Sequence, residues 1–128
     1  MTTEITSGIK VSVETGYDPS QSHPSQSHYF FSYTITIQNA SDYTIQLRRR
    51  HWYIFDSSGN NSEVEGEGVL GRQPVLAPGD VYEYTSGCNL RSDMGSMHGV
   101  FLVERKTDGR LLEVKIPMFE LVMPHKYN

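Results

Sequence analysis

Hydrophobic and polar residues alternate with a period of two along most of this chain. Ile9, Val11 and Val13 are separated by polar residues, and residues 29–38 continue the pattern with a face of aromatic and β-branched side chains. Successive side chains of a β-strand point to opposite faces, so this alternation is typical of half-buried strands. Because helical periodicity is nearly absent, the pattern predicts an all-β protein.

A third predicted strand, residues 43–56, changes its phase part of the way along. Leu47 and Trp52 both suit a core, but they are an odd number of residues apart. A β-bulge within residues 48–51 would turn both side chains to the same face. Trp52 would then lie at the centre of the core.

The remaining strands are shorter or less regular. A polar strand is predicted at residues 63–68, and others at 81–86, 97–106 and 111–122, the last two joined as a hairpin at Asp108-Gly109. Pro117 cannot donate a ladder hydrogen bond, which predicts an edge strand or a bulge there. Residues 17–28 are rich in Ser, Gln and Pro and predict a mobile, solvated loop. The pattern favours a β-sandwich of about seven antiparallel strands over a closed barrel.

Composition narrows the classes of protein. The 128 residues suit one domain, residues 1–128. A net charge of −4 opposes binding to nucleic acid or to anionic lipid, and no apolar run is long enough for membrane insertion. The single cysteine, Cys88, excludes an internal disulfide, and the N-terminal residues do not resemble a signal peptide, so the predicted compartment is the cytoplasm.

A glycine-rich segment, residues 66–74, reads Gly-Glu-Gly-Val-Leu-Gly-Arg-Gln-Pro and resembles a dinucleotide-binding fingerprint. That fingerprint needs a helix after the glycines, but Pro74 and Pro78 leave too few residues for one. The glycines are therefore expected to permit bulges and positive φ, with anion or peptide contact by exposed amides as the alternative. The predicted ligand or partner loop comprises Gly66, Gly68, Gly71, Arg72 and Gln73.

Residues 48–51, Arg-Arg-Arg-His, form the one basic cluster. With neighbouring aromatic residues it suggests a nucleic-acid surface, but the acidic residues at 63, 65 and 67 could pair with it across a sheet. A solvated strand face is the preferred interpretation. Arg50, His51 and Glu67 are proposed as a surface for a protein partner.

The sequence offers little support for catalysis or a cofactor. Cys88 with His98 and Asp93 is the one nucleophilic set, and an unpaired cysteine is usually a small core residue. No cofactor is predicted. No metal site is predicted either, because the histidines lack paired ligand spacing; they lie at positions 23, 28, 51, 98 and 125.

In combination, several segments resemble the ApaG family of small bacterial proteins, also called the DUF525 domain. They are Arg50-His51-Trp52, residues 66–74 with Pro78-Gly79, residues 84–88 and residues 95–99. The resemblance implies an immunoglobulin or fibronectin type III-like sandwich. It also implies an association with cobalt resistance and magnesium efflux. In eukaryotic relatives the domain is fused to F-box and polymerase-interacting proteins, which suggests an adaptor.

The preferred hypothesis is a non-enzymatic interaction module whose glycine loop and adjoining strand face an unidentified protein partner. Exposed strand edges would allow strand addition or a homodimer. The alternative is a sensor that binds nucleotide, pyrophosphate or a divalent cation through the glycine loop. An enzyme is the third hypothesis.

Overall fold

The computed structural model describes residues 1–124, so His125 lies outside the described residues. The described chain contains nine strands and two short 3₁₀ turns, Pro19–Gln21 and Pro24–Gln26, and no helix long and apolar enough to cross a membrane. The strands are β1 Thr2–Thr6, β2 Ile9–Tyr17, β3 Tyr29–Asn39, β4 Ile45–Asp56, β5 Ser62–Glu67, β6 Val75–Leu76, β7 Val81–Leu90, β8 Met94–Arg105 and β9 Leu111–Val122.

The strands form two antiparallel sheets, which confirms the predicted sandwich. The first sheet has the order β1-β2-β3-β7, and the second has the order β5-β4-β8-β9 with β6 paired to β4. The predicted number of about seven strands was too low, because β1 and β6 carry little alternation. In β1 the apolar Ile5 is exposed, and β6 is only two residues long.

The predicted bulge in the third strand is confirmed. The pairing of β4 with β8 shifts its register between Leu47 and Arg49, so Arg48 is the extra residue. Beyond the bulge, Trp52 is 2% exposed, and its ring centroid lies 5.4 Å from that of Tyr33 and 5.8 Å from that of Phe119. The prediction that Trp52 centres the core is therefore confirmed.

Other local predictions are also resolved. The β8–β9 register shifts between Met97 and Gly99, opposite Pro117, and β9 is an edge strand, so Pro117 marks both an edge and a bulge.

Hydrogen bonds organise the Ser/Gln/Pro-rich segment, residues 17–28. The Ser22 hydroxyl donates to the carbonyl of Asp18 and accepts from the amide of Phe30.

The two long sides of the sandwich differ. On one side β1 and β9 lie together, and the amide of Lys115 donates to Oγ1 of Thr6 at 3.2 Å. On the other side the edges are β7 and β5, and the glycine-rich segment lies between the sheets there. We call this second side the open side.

Candidate functional site

The glycine-rich segment forms a tight hairpin turn. Val69 and Arg72 exchange two backbone hydrogen bonds, of 2.8 and 2.9 Å, and the residues between them, Leu70 and Gly71, have φ of +48° and +75°. Positive φ at both central positions defines a type I′ turn. Strand β6 follows, and the expectation that no helix comes after the glycines is confirmed.

Most backbone amides of this turn are already paired inside the protein. The amide of Gly68 donates to the carbonyl of Arg48 at 2.8 Å, and the amides of Val69 and Arg72 pair with each other's carbonyls. The side chain of Gln73 also donates to the Arg48 carbonyl, at 2.9 Å. A helix N-terminus presents up to four unpaired amides to an anion, and this turn lacks that arrangement.

The first two glycines of the segment have different structural roles. A Cβ atom at Gly68 would lie 2.0 Å from the carbonyl oxygen of Arg72, and its φ is +59°. A Cβ atom at Gly66 would instead lie 3.0 Å from Nη1 of Arg50. Gly68 therefore permits the turn, whereas Gly66 makes room for a guanidinium group.

Arg50 lies on the inner face of the second sheet because of the bulge at Arg48. Its Nη1 donates to the carbonyl oxygens of Glu67 and Gly68, at 3.1 and 3.0 Å. No carboxylate of residues 1–124 lies within 4.0 Å of its guanidinium, whereas Arg49 reaches Glu65 at 3.8 Å. Arg50 is a half-buried cation held by neutral carbonyl groups.

Arg50 lines a pocket of about 280 Å³ between the sheets on the open side, which we call the inter-sheet pocket. Tyr33 and Tyr84 enter it from the first sheet, and Trp52 from the second. Burial raises the pKa of both tyrosines. A hydrogen bond with Ser86 and the Arg50 charge partly offset this for Tyr33, and the Arg50 charge partly offsets it for Tyr84. The Tyr84 hydroxyl is buried and has no hydrogen-bond partner among residues 1–124.

The outer face of the second sheet carries exposed apolar side chains that we call the aromatic patch: Tyr53, Phe55, His98 and Met118. Phe55 is 49% exposed and Met118 is 62% exposed. The ring of Tyr53 stacks on that of His98 at 5.1 Å, and a shallow groove of about 720 Å³ runs between these residues. The sequence held a signal for this patch, because Tyr53 and Phe55 occupy the polar phase of β4.

The structure does not bring the predicted partner surface to one face. His51 and Glu67 lie on the outer face, whereas Arg50 points inward. The predicted pairing of arginines with acidic residues across the sheet holds for Arg49, which lies 3.8 Å from Glu65, and His51 also contacts Glu65, at 3.1 Å from its Nδ1. In the predicted loop, the side chain of Gln73 stabilises the turn.

The hypothetical nucleophilic set is dispersed. Cys88 is buried in the first sheet, and burial raises its pKa to about 11, which disfavours the thiolate. His98 projects from the outer face of the second sheet. Residues 1–124 contain no group of three or more His, Cys, Asp or Glu side chains placed to hold a metal ion.

Known proteins share both the sequence and the fold. Residues 19–105 match the family described as DUF525, the ApaG domain. Protein ApaG of Rhodopseudomonas palustris is 46% identical over 120 residues, which cover 94% of this chain and 92% of that protein. Protein ApaG of Brucella abortus is 44% identical over 126 residues, 98% of this chain and 96% of that one.

The fold comparison agrees. The crystal structure of a Bordetella pertussis protein, provisionally named ApaA, superposes with a TM-score of 0.88 at 44% identity and covers 92% of this chain and 95% of that one. The C-terminal domain of Wzt shares only the fold, with a TM-score of 0.54 at 13% identity. Because the family model matches residues 19–105 and relatives of 44–46% identity cover nearly the whole chain, the chain belongs to the ApaG domain family.

Proposed function

We propose that this protein is a non-enzymatic module that binds another protein through the aromatic patch. The observation that carries the proposal is the exposure of Phe55 and Met118 beside Tyr53 on the outer face of the second sheet. Contiguous exposed apolar groups mark interaction sites, and aromatic residues and methionine are enriched in interfaces. In the predicted loop, Gly66, Gly68 and Gln73 support the fold of the open side instead.

The charge around the patch indicates the partner's chemistry. Glu63 lines the groove opposite Tyr53, and its side chain is 63% exposed. A complementary segment would insert an apolar side chain between Phe55 and Met118 and place a Lys or Arg beside Glu63. Strand addition at an exposed edge, or a homodimer through such an edge, is a second mode of association within the same proposal.

A pair of matched variants tests the patch. Immobilised wild type, the Phe55→Ser/Met118→Ser double variant and the Val81→Ser control are each used to capture proteins from a bacterial lysate. Val81 is 56% exposed on the outer face of the other sheet, so its change removes apolar surface away from the patch. We expect the double variant alone to lose a partner whose direct binding is then measured with purified proteins. Equal capture by all three would contradict the patch.

The same proposal covers the association with cobalt resistance and magnesium efflux that the family resemblance implies. The partner protein that binds the aromatic patch would mediate this metal phenotype. A strain that lacks the gene would be complemented with wild type, the double variant or the Val81→Ser control. We expect cobalt tolerance to return with wild type and the control and to stay low with the double variant. Full tolerance with the double variant would separate the metal phenotype from this surface.

A further inference from the structure

The inter-sheet pocket contains a hydrogen-bond donor that no residue of 1–124 uses. Tyr84 is 8% exposed, and its hydroxyl oxygen is buried without a partner among residues 1–124. Leaving a buried polar group unpaired costs free energy, so such a group in a native structure calls for an explanation. A ligand that accepts a hydrogen bond inside the pocket would supply one.

Several other polar groups around the pocket can also donate, among them the Ser86 hydroxyl, which interacts with that of Tyr33. Burial raises the pKa of the Tyr33 and Tyr84 phenols, so both stay protonated at neutral pH and can donate. The Nη1 of Arg50 is committed to the carbonyls of Glu67 and Gly68, but its Nη2 and Nε have no acceptor among the described residues. A guanidinium and neutral hydroxyls in one pocket form a donor set that suits an anion.

The charge of the pocket selects the kind of anion. Among residues 1–124, Arg50 is the one cationic side chain in the lining; Glu67 pairs with Arg49 across the sheet, so its carboxylate faces the outer side. One positive charge matches a monoanion, whereas a phosphoryl dianion would leave a surplus negative charge in a half-buried site. Trp52 and Val69 supply an apolar wall. The volume of about 280 Å³ has room for an apolar portion of the ligand beside its charged group.

We propose that the inter-sheet pocket binds a small carboxylic acid in its carboxylate form. The carboxylate accepts hydrogen bonds from Arg50 and the Tyr84 hydroxyl, and an aromatic or branched apolar portion packs against Trp52. This site uses side chains behind the glycine turn, and it is separate from the aromatic patch on the outer face. Its occupation would leave the proposed protein-binding surface free.

Trp52 is the only tryptophan in the chain and lines the pocket, so its fluorescence reports on binding. We would titrate the protein with benzoate, with the neutral analogue benzamide and with inorganic phosphate. We expect a saturable change with benzoate, and affinity about tenfold or more weaker for benzamide and for phosphate. Benzamide binding as tight as benzoate, or tighter binding of phosphate, would overturn the assignment to a carboxylate.

Variants locate the site. Tyr84→Phe keeps the ring and removes the unpaired hydroxyl, so the protein should fold normally and bind benzoate about fivefold or more weakly. Arg50→Gln should also weaken binding, and Arg49→Gln, with the same charge change on the outer face, should not. Unchanged benzoate affinity in Tyr84→Phe, an equal loss in Arg49→Gln, or no saturable signal in wild type would refute the proposal. Because Tyr84→Phe preserves the fold, an unstable Arg50→Gln would not remove the test.

Discussion

A hydrogen bond of 3.0 Å joins Nη1 of Arg50 to the carbonyl oxygen of Gly68 across the open side of the sandwich. The bulge at Arg48 makes this contact available, because it turns Arg50 to the inner face while Arg49 stays outside. The basic cluster in the sequence is thereby divided between two faces. One of its cations stabilises the glycine turn and also contributes to the inter-sheet pocket.

The glycine turn predicts a contrast between two alanine substitutions. Gly68→Ala adds a Cβ 2.0 Å from a backbone oxygen at a φ of +59°, so we expect it to lower the free energy of unfolding by about 3 kcal/mol or more. Gly71→Ala meets no atom within 4 Å, and only its φ of +75° opposes it, so we expect a loss of about 1 kcal/mol. Urea denaturation measures both, and equal losses would contradict the steric argument.

Leu70 is a site for stabilisation. It has a φ of +48° and is 60% exposed at the first central position of the type I′ turn. Asparagine tolerates that conformation far better than leucine, so Leu70→Asn should raise the free energy of unfolding by about 0.5–1 kcal/mol. The thermal unfolding midpoint would show it. A lower midpoint would mean that the Leu70 side chain contributes packing that outweighs its backbone strain.

The environment of the Asp56 carboxyl predicts that the free energy of unfolding falls at acid pH. Burial raises the pKa of this carboxyl, but hydrogen bonds from the Arg91 amide, the Ser92 hydroxyl and the Ser58 amide outweigh burial and lower the pKa below 3.8. A carboxyl with a lowered folded pKa stabilises the protein above its unfolded pKa. That contribution is lost as the pH falls below about 4 through the folded value.

The substitution Asp56→Asn tests this network. We expect it to lower the free energy of unfolding by about 1–3 kcal/mol at neutral pH and to flatten the loss of stability below about pH 4. Glu120→Gln, an exposed acidic residue on β9, serves as the control and should change little. Urea denaturation at a series of pH values from neutral to acid provides the measurement. If the free energy of unfolding of Asp56→Asn still falls as steeply below about pH 4 as that of wild type, other groups cause the loss.

Cys88 should react slowly with alkylating reagents in the folded protein. Burial raises its pKa from 9.0 to about 11, which lowers the thiolate fraction about a hundredfold at mildly alkaline pH. Mass spectrometry of protein treated with iodoacetamide, native and in denaturant, gives the two rates. Fast labelling of the native protein would show that the first sheet opens around Cys88.

Much of the fold could be predicted from local pattern alone. The alternation around Ile35 predicts the central strand β3, and the phase change between Leu47 and Trp52 predicts the bulge, because a strand's side-chain period is two. Strand β1 escaped prediction because its one large apolar residue, Ile5, is exposed. The two-residue strand β6 is too short to show any period.

The candidate sites were much less predictable. The glycine spacing predicts a turn without a helix, but sequence does not reveal that Gly66 faces a guanidinium or that Tyr84 approaches Arg50 from the opposite sheet. These residues are brought together by the packing of two sheets. The aromatic patch depends in the same way on the pairing of β4 with β8 and of β8 with β9.

Local pattern in the sequence therefore predicts seven of the nine strands of residues 1–124, the bulge, the absence of a helix after the glycines and the family resemblance. These features depend on neighbouring residues, whose side-chain alternation and backbone preferences are local. The tertiary structure alone decided which face each polar residue occupies and which strands are neighbours, because the loop connections and the packing of the two sheets set those. The division of Arg49 and Arg50 between the two faces, and the pocket that Arg50 lines with Tyr84, follow from that packing.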